Sequence, residues 1–225
     1  MDAQLDGLDA CELGDFGRAL LAEVRCLPKR DLTRAAILNA GCNLLDRAAL
    51  PLLTVSDICR VAGIAHGTFY IYFADRQAFV TDLLDRFVSY LQVAMREASR
   101  SQRRDRVRAT TATYCRLFEQ NPGIMKCLVS HIEEFPTTRT AFQKLNREWA
   151  TTVVRATQRK LAAAGRADEV ARDELYRRAY ALGGMIDQYL TALFVTRDKT
   201  LASVSQDHEA AIDTLTFIWK RGMTE

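Results

Sequence analysis

Between Leu32 and Met95, apolar side chains recur at three- and four-residue intervals, broken only near Pro51, Gly63 and Asp75. A period near 3.6 is the mark of an amphipathic helix, and nothing in the chain reads as a strand. A first helix starts at Asp31, whose carboxylate can cap it. It carries Leu32, Ala35, Ala36, Ile37, Leu38, Ala40, Leu44 and Leu45 on a wide apolar face and stops before Pro51. Thr54 and Asp57 form a capping signature ahead of a second helix, with Val55, Ile58, Cys59 and Ala62 inside and Gly63 just past its end. A third, short helix covers about 65–72. A fourth begins at Asp75, another good N-cap, and runs through Phe79, Leu83, Leu84, Phe87, Leu91 and Met95 to about Ser101.

The remainder reads as helices over 104–120, 122–133, 137–164, 171–196 and 206–222, with Asn121-Pro122, Pro136 and Gly165 as breaks. Nine helices make an all-α chain. With 48% hydrophobic residues it can bury a core, and with only 4 Pro and 11 Gly in 225 residues it lacks the turns of an all-β sandwich. Residues 1–28 carry six acids against two bases and read as an acidic, partly disordered arm. Within the arm, Phe16, Leu20, Leu21 and Val24 share one face of a short helix. The arm has neither the basic start nor the apolar core of a signal peptide, and no apolar run is long enough to span a membrane. The expectation is a cytoplasmic protein without a membrane partner.

Helices two and three, joined by a tight turn at Gly63, have helix-turn-helix spacing. The net charge of +3 does not argue for nucleic acid by itself, so a DNA-binding reading needs a motif. Gly63-Ile-Ala-His-Gly-Thr-Phe-Tyr-Ile-Tyr-Phe73, followed by Asp75-Arg76, resembles the TetR-family signature A-G-V-S-x-G-T-F-Y-x-Y-F-x-x-K. Upstream, Arg34-Ala-Ala-Ile-Leu-Asn-Ala40 resembles that family's R-x-x-I-L-x-A, and Thr54-Val-Ser-Asp-Ile58 its T-V-x-x-I. The resemblance covers residues 30–84, about a quarter of the chain. It implies a DNA-binding head in 29–76 and a larger helical ligand-binding and dimerisation domain in 77–225.

The residues support matching roles. Phe69 and Phe73 lie four apart and can anchor the third helix, leaving His66, Gly67, Thr68, Tyr70 and Ile71 nearer the outside. Gly67 lets the backbone approach a groove wall, and Thr68 and Tyr70 offer hydroxyls to phosphates. His66 sits at the end that faces base edges in this motif, where it can donate to guanine, and Ile71 suits a thymine methyl. Tyr72, Thr54 and Arg76 are candidate phosphate contacts, and the resemblance adds Arg34, with Lys29 and Arg30 before it. Two departures stand out. Ala65 replaces the family's capping Ser or Thr, and Ala49 with Pro51 replaces its Gly before helix two, so that turn is expected to be rebuilt.

Behind the head, Tyr114, Phe118, Met125, His131, Trp149, Met185, Gln188 and Tyr189 are candidates to line a pocket for a small, largely apolar effector. The apolar stripes of the last two long helices, through Leu182, Ile186 and Leu190 and through Leu215, Ile218 and Trp219, suit a homodimer interface. Gly183-Gly184 in mid-helix suggests that something packs closely there. A dimer would place two recognition helices in successive major grooves of a double-stranded, near-palindromic operator, and a ligand would release it as a repressor. No cofactor, metal site or enzyme motif is expected. The three histidines are far apart, and His131 beside Glu133 and Glu134 reads as a solvated helix end. Six scattered cysteines leave an alternative, the same fold switched by oxidation, with Cys115 and Cys127 as the candidate pair, and a helical small-molecule enzyme is a further, weaker one.

Overall fold

A computed structural model describes residues 15–23, 28–130 and 136–224. Among these residues there are eleven α-helices and no strand: α1 (Phe16–Glu23), α2 (Lys29–Leu45), α3 (Val55–Ala62), α4 (His66–Tyr72), α5 (Arg76–Ser101), α6 (Arg106–Gln120), α7 (Pro122–Ser130), α8 (Pro136–Ala163), α9 (Arg172–Leu190), α10 (Lys199–Val204) and α11 (His208–Thr224). Two compact units emerge. One gathers the described residues up to Glu97 together with Arg116–Phe142. The other gathers Ala98–Cys115 with the described residues from Gln143 onward. The helices α5, α6 and α8 contribute residues to both.

The first unit is built on α2. This helix starts at Lys29, two residues before the expected Asp31, because Pro28 sits at the N-cap with its φ already near −55° and its carbonyl accepts the Asp31 N–H. Asp31 becomes a first-turn acid instead, favourable to the helix dipole. Ile37, Leu38, Ala40 and Leu45 are buried as the periodicity requires, whereas Leu32 remains exposed. The short N-terminal helix is present as α1 and packs on α2. Its Phe16 and Leu20 are buried, and Phe16 lies 5.2 Å from the Phe87 ring and 5.3 Å from Tyr90. Leu21 faces solvent rather than joining them, and Val24, like the rest of 1–14 and 24–27, lies outside the described residues. The Phe16 N–H donates to Asn121 Oδ1 at 2.8 Å.

The other two expected caps are in place. Thr54 Oγ1 accepts the Asp57 N–H at 3.1 Å and donates to Asp57 Oδ2 at 2.6 Å, opening α3. Asp75 Oδ1 accepts the Ala78 N–H at 2.7 Å, opening α5. The turn ahead of α3 is rebuilt as a 3-10 turn over Leu50–Leu52 with Pro51 inside it. Gly63 closes α3 at φ 67°, ψ 35°, and its N–H returns to the Cys59 carbonyl. A Cβ there would meet nothing within 4 Å, so backbone conformation, not space, requires glycine.

In the second unit α9 packs against α11. The helix expected over 171–196 ends at Leu190 and continues as a π-helical segment, Thr191–Val195. The sequence reading also missed α10, which Asp198 caps by accepting the Leu201 N–H at 2.8 Å. Gly165, at φ 70°, ends α8 as expected.

Gly63→Ala should therefore lower stability by about 1–2 kcal/mol through the left-handed backbone alone, with Gly63→Asn costing less. Urea denaturation of the three proteins checks this, and an alanine variant as stable as the parent would refute it.

Candidate nucleic-acid interface

Seven residues are too few for a helix to persist by itself, and Ala65 gives α4 no side-chain cap. Packing holds it instead. Phe69 is fully buried and Phe73 nearly so. Their rings lie 5.5 Å apart, and Phe79 of α5 sits 5.8 Å from Phe69 and 5.2 Å, edge-on, from Phe73. Arg34 of α2 closes this cluster, its guanidinium 5.0 Å over the Phe73 ring and Nη2 3.1 Å from Asp82 Oδ1.

With that face anchored, the opposite face is solvent-exposed. His66 and Gly67 are exposed, Tyr70 is 49% and Ile71 68% accessible, and Thr68 and Tyr72 are half-buried. The His66 and Tyr70 rings lie 5.4 Å apart, so they form one outward aromatic surface. Gly67 is helical, with open space where a Cβ would stand.

The other candidate contacts are held differently. Thr54 is exposed, but its hydroxyl is engaged by Asp57. That bond, and then the Arg60 guanidinium 2.9 Å away, keep the Asp57 carboxyl below its ordinary range. Arg34 is spent on Asp82 and Phe73, and Arg76 Nη2 donates to the Leu50 carbonyl at 2.6 Å. Both charges therefore brace α4 and the turn before α3. Tertiary pairing decided this, and no local pattern signals it.

The candidate ligand residues divide. Phe118 and Met125 are fully buried in the first unit. Tyr114, Trp149, Met185, Gln188 and Tyr189 belong to the second, and His131 lies outside the described residues. Gln188 is exposed, Met185 is half-buried, and the Tyr189 hydroxyl shares a hydrogen bond of 2.7 Å with Ser205 Oγ. Trp149 seats its ring on Gly183, where a Cβ would lie 3.0 Å from a ring carbon, and meets Trp219 edge-on at 4.9 Å. The Tyr114 hydroxyl donates to Asp187 Oδ1 at 2.7 Å. Sequence reasoning missed Asp187, because its partner is 73 positions away. Burial pushes its carboxyl up to about 6, while the Tyr114 hydroxyl pulls the other way.

The candidate interface stripes mostly face inward within one chain. Ile186, Leu190, Leu215 and Trp219 are buried, Leu182 is half-buried against Gly222, and Ile218 is exposed. The apolar surface left on α9 and α11 is Tyr180, Phe217 and Ile218, beside an open Gly184. Cys42, Cys59, Cys115 and Cys127 are buried and not in disulfides. Burial pushes the thiols of Cys42 and Cys59 up and that of Cys127 up to about 12, which works against thiolate chemistry. No helix among the described residues is long and apolar enough to cross a membrane.

Residues 37–83 match the family model described as bacterial regulatory proteins, tetR family. The HTH-type transcriptional regulator EthR of Mycobacterium tuberculosis is 38% identical over 68 residues, 30% of this chain and 32% of that protein. That match thus spans about a third of the relative's length. Over most of the chain the sequence likeness is lower: EthR of Mycolicibacterium smegmatis is 25% identical over 197 residues, 85% of this chain and 86% of that protein. A crystal structure assigned to the TetR family from Syntrophomonas wolfei superposes with a TM-score of 0.65 at 16% identity, covering 86% of this chain and 95% of that one. The regulator FadR from Bacillus subtilis, in complex with stearoyl-CoA, gives 0.60 at 12% identity over 83% and 97%.

The raised Asp187 carboxyl has a stability signature. A folded-state value above the unfolded one means that the native chain binds more protons between about pH 4 and 6, so stability falls as pH rises through that window. Asp187→Asn keeps an acceptor for Tyr114 and removes the buried charge. Its Tm should exceed that of the parent by on the order of 5 °C at pH 7.5, with the gap closing by pH 4. Thermal melts across pH check this, and a gap independent of pH would refute it.

Proposed function

We propose that this chain is a member of the TetR family of bacterial regulatory proteins and acts as a dimeric, ligand-responsive DNA-binding repressor rather than an enzyme. The observation that carries the reading is the exposed face of α4, where His66, Gly67, Tyr70 and Ile71 stand out from a helix locked by Phe69, Phe73 and Phe79. On this reading α4 enters the major groove of a near-palindromic operator in the cytoplasm. His66, at its N-terminal end, reaches base edges, and Ile71 meets a thymine methyl. Gly67 brings the backbone close to the groove wall. Thr68, Tyr70 and Tyr72 supply hydroxyls to phosphates, and Thr54 joins them by releasing Asp57. Arg34 and Arg76 act by holding α4 and the preceding turn in place.

A second copy would dock on the exposed surface of α9 and α11 around Tyr180, Phe217 and Ile218, where Gly184 lets two helices approach. A small, largely apolar effector would bind in the helical part behind the head. FadR's complex with stearoyl-CoA and the aromatic content of α6, α8 and α9 support that assignment. The effector releases DNA only to the extent that it favours the conformer with the wrong spacing between heads.

Selection from a random duplex pool, followed by a salt titration of the winner, tests the reading. The expected winner is near-palindromic, and its affinity falls steeply with salt. Gly67→Ala gives a sharper arm. Alanine fits the open helical position and should hold or slightly raise Tm, yet weaken operator binding about ten-fold or more. No enriched sequence from protein refolded free of ligand, or a Gly67→Ala variant that binds like the parent, would overturn the assignment of α4.

A further inference from the structure

On the reading that the second unit holds the effector, we propose that its site takes an organic cation, an ammonium or amidinium on an apolar frame, held by the carboxylate of Asp187 against Tyr114. The geometry is that of a charge awaiting its counter-charge. One carboxylate oxygen, Oδ1, accepts the Tyr114 hydroxyl at 2.7 Å. Among the described residues no Lys, Arg or His makes a salt bridge with Asp187, and the phenol of Tyr114, from α6, is the group that acts on it. Cys115, beside that phenol, bears on Tyr114 in turn. Several bases of this unit are engaged elsewhere: Arg108 with Asp213 and Glu209, Lys220 with Asp105, and Arg177 and Arg178 with Glu174. A half-buried carboxylate given only a phenol is costly to keep ionised, and an asparagine would serve the same hydrogen bond at lower cost.

Two neighbouring features fit a bound cation. Gly183 lies one turn before Asp187 on α9 and so shares its face, and the Trp149 ring rests on that glycine. Aromatic rings hold ammonium groups through their negative faces, and Trp149 meets α9 one turn from the carboxylate. One turn after Asp187, α9 widens into the π segment Thr191–Val195, all five residues half-buried, and Arg197 follows at φ 54°. Such distortions concentrate at functional sites. With the carboxyl pushed up to about 6, a cation should bind in competition with protons and lose affinity as pH falls through that value.

The test uses the full chain without DNA and three apolar frames (phenylbutyl, naphthylethyl and decyl), each as the primary amine and as the alcohol, measured by calorimetry. At pH 7.5 the parent should bind the amines at least about ten-fold more tightly than the matching alcohols. At pH 5.0 that preference should shrink, with alcohol binding unchanged. Asp187→Asn should abolish the preference and leave alcohol affinity within about two-fold, whereas Tyr114→Phe should retain part of it. If Asp187→Asn does not fold, the two pH values on the parent still decide. Alcohols bound as tightly as amines, no amine bound, or a preference surviving in Asp187→Asn each overturn the proposal. Operator binding without any amine preference sinks this inference alone, while absence of operator binding sinks the regulator reading and not this one.

Discussion

Three phenylalanine rings decide where the outward face of α4 points. Phe69 and Phe73 come from α4 itself and Phe79 from α5, and the two elements are locked within one aromatic cluster. The magnitudes show why packing had to do this. A side-chain cap contributes about 1 kcal/mol, and α4 lacks one at Ala65. A buried phenylalanine typically costs about 3–5 kcal/mol to truncate. The missing cap is therefore a small loss beside the cluster, and the helix keeps its place without it. Arg34 adds a lid, its charge shared between the Phe73 face and Asp82.

The arrangement separates stability from recognition. Every side chain that holds α4 points inward or is paired, and the exposed side chains on it make few intramolecular contacts besides the His66–Tyr70 pair. On the proposed reading, outward residues can then vary, and with them the DNA sequence read, while the frame stays fixed. Arg34 and Arg76 belong to the frame. Each looks from sequence like a phosphate contact, yet each directs its guanidinium to a partner on another element, Asp82 and the Leu50 carbonyl.

Much of this was legible because it is local. Thr54 with Asp57, Asp75 ahead of Phe79, Gly63 after α3 and the four-residue spacing of Phe69 and Phe73 each state their role within one helical turn. What depends on distant partners was not legible. Asp187 looks like any solvated acid until Tyr114 is placed on it. The stripes on α9 and α11 show the same period whether they cover one another or a second copy, so periodicity gave Leu190 and Leu215 no way to declare themselves internal. The π segment carries no breaker residue, and α10 hides behind a single capping aspartate, Asp198.

The first unit also shows that the segment from α2 to α4 is not a detachable module. Gly123, near the start of α7, lies so close to the end of α2 that a Cβ would stand 2.4 Å from the Asp46 nitrogen, and its N–H donates to Asp46 Oδ1 at 3.1 Å. Asn121, just before it, accepts the Phe16 N–H of α1 and donates to the Leu117 carbonyl of α6. The approach of Gly123 to Leu45 and Asp46 is backbone against backbone, which cannot yield as a flexible side chain would. Close-packed elements of this kind shift together or not at all. On the proposed reading, an effector therefore need not deform the head to release DNA. Displacing α7 or α5 by a small amount would carry α2, and with it α4, as one body.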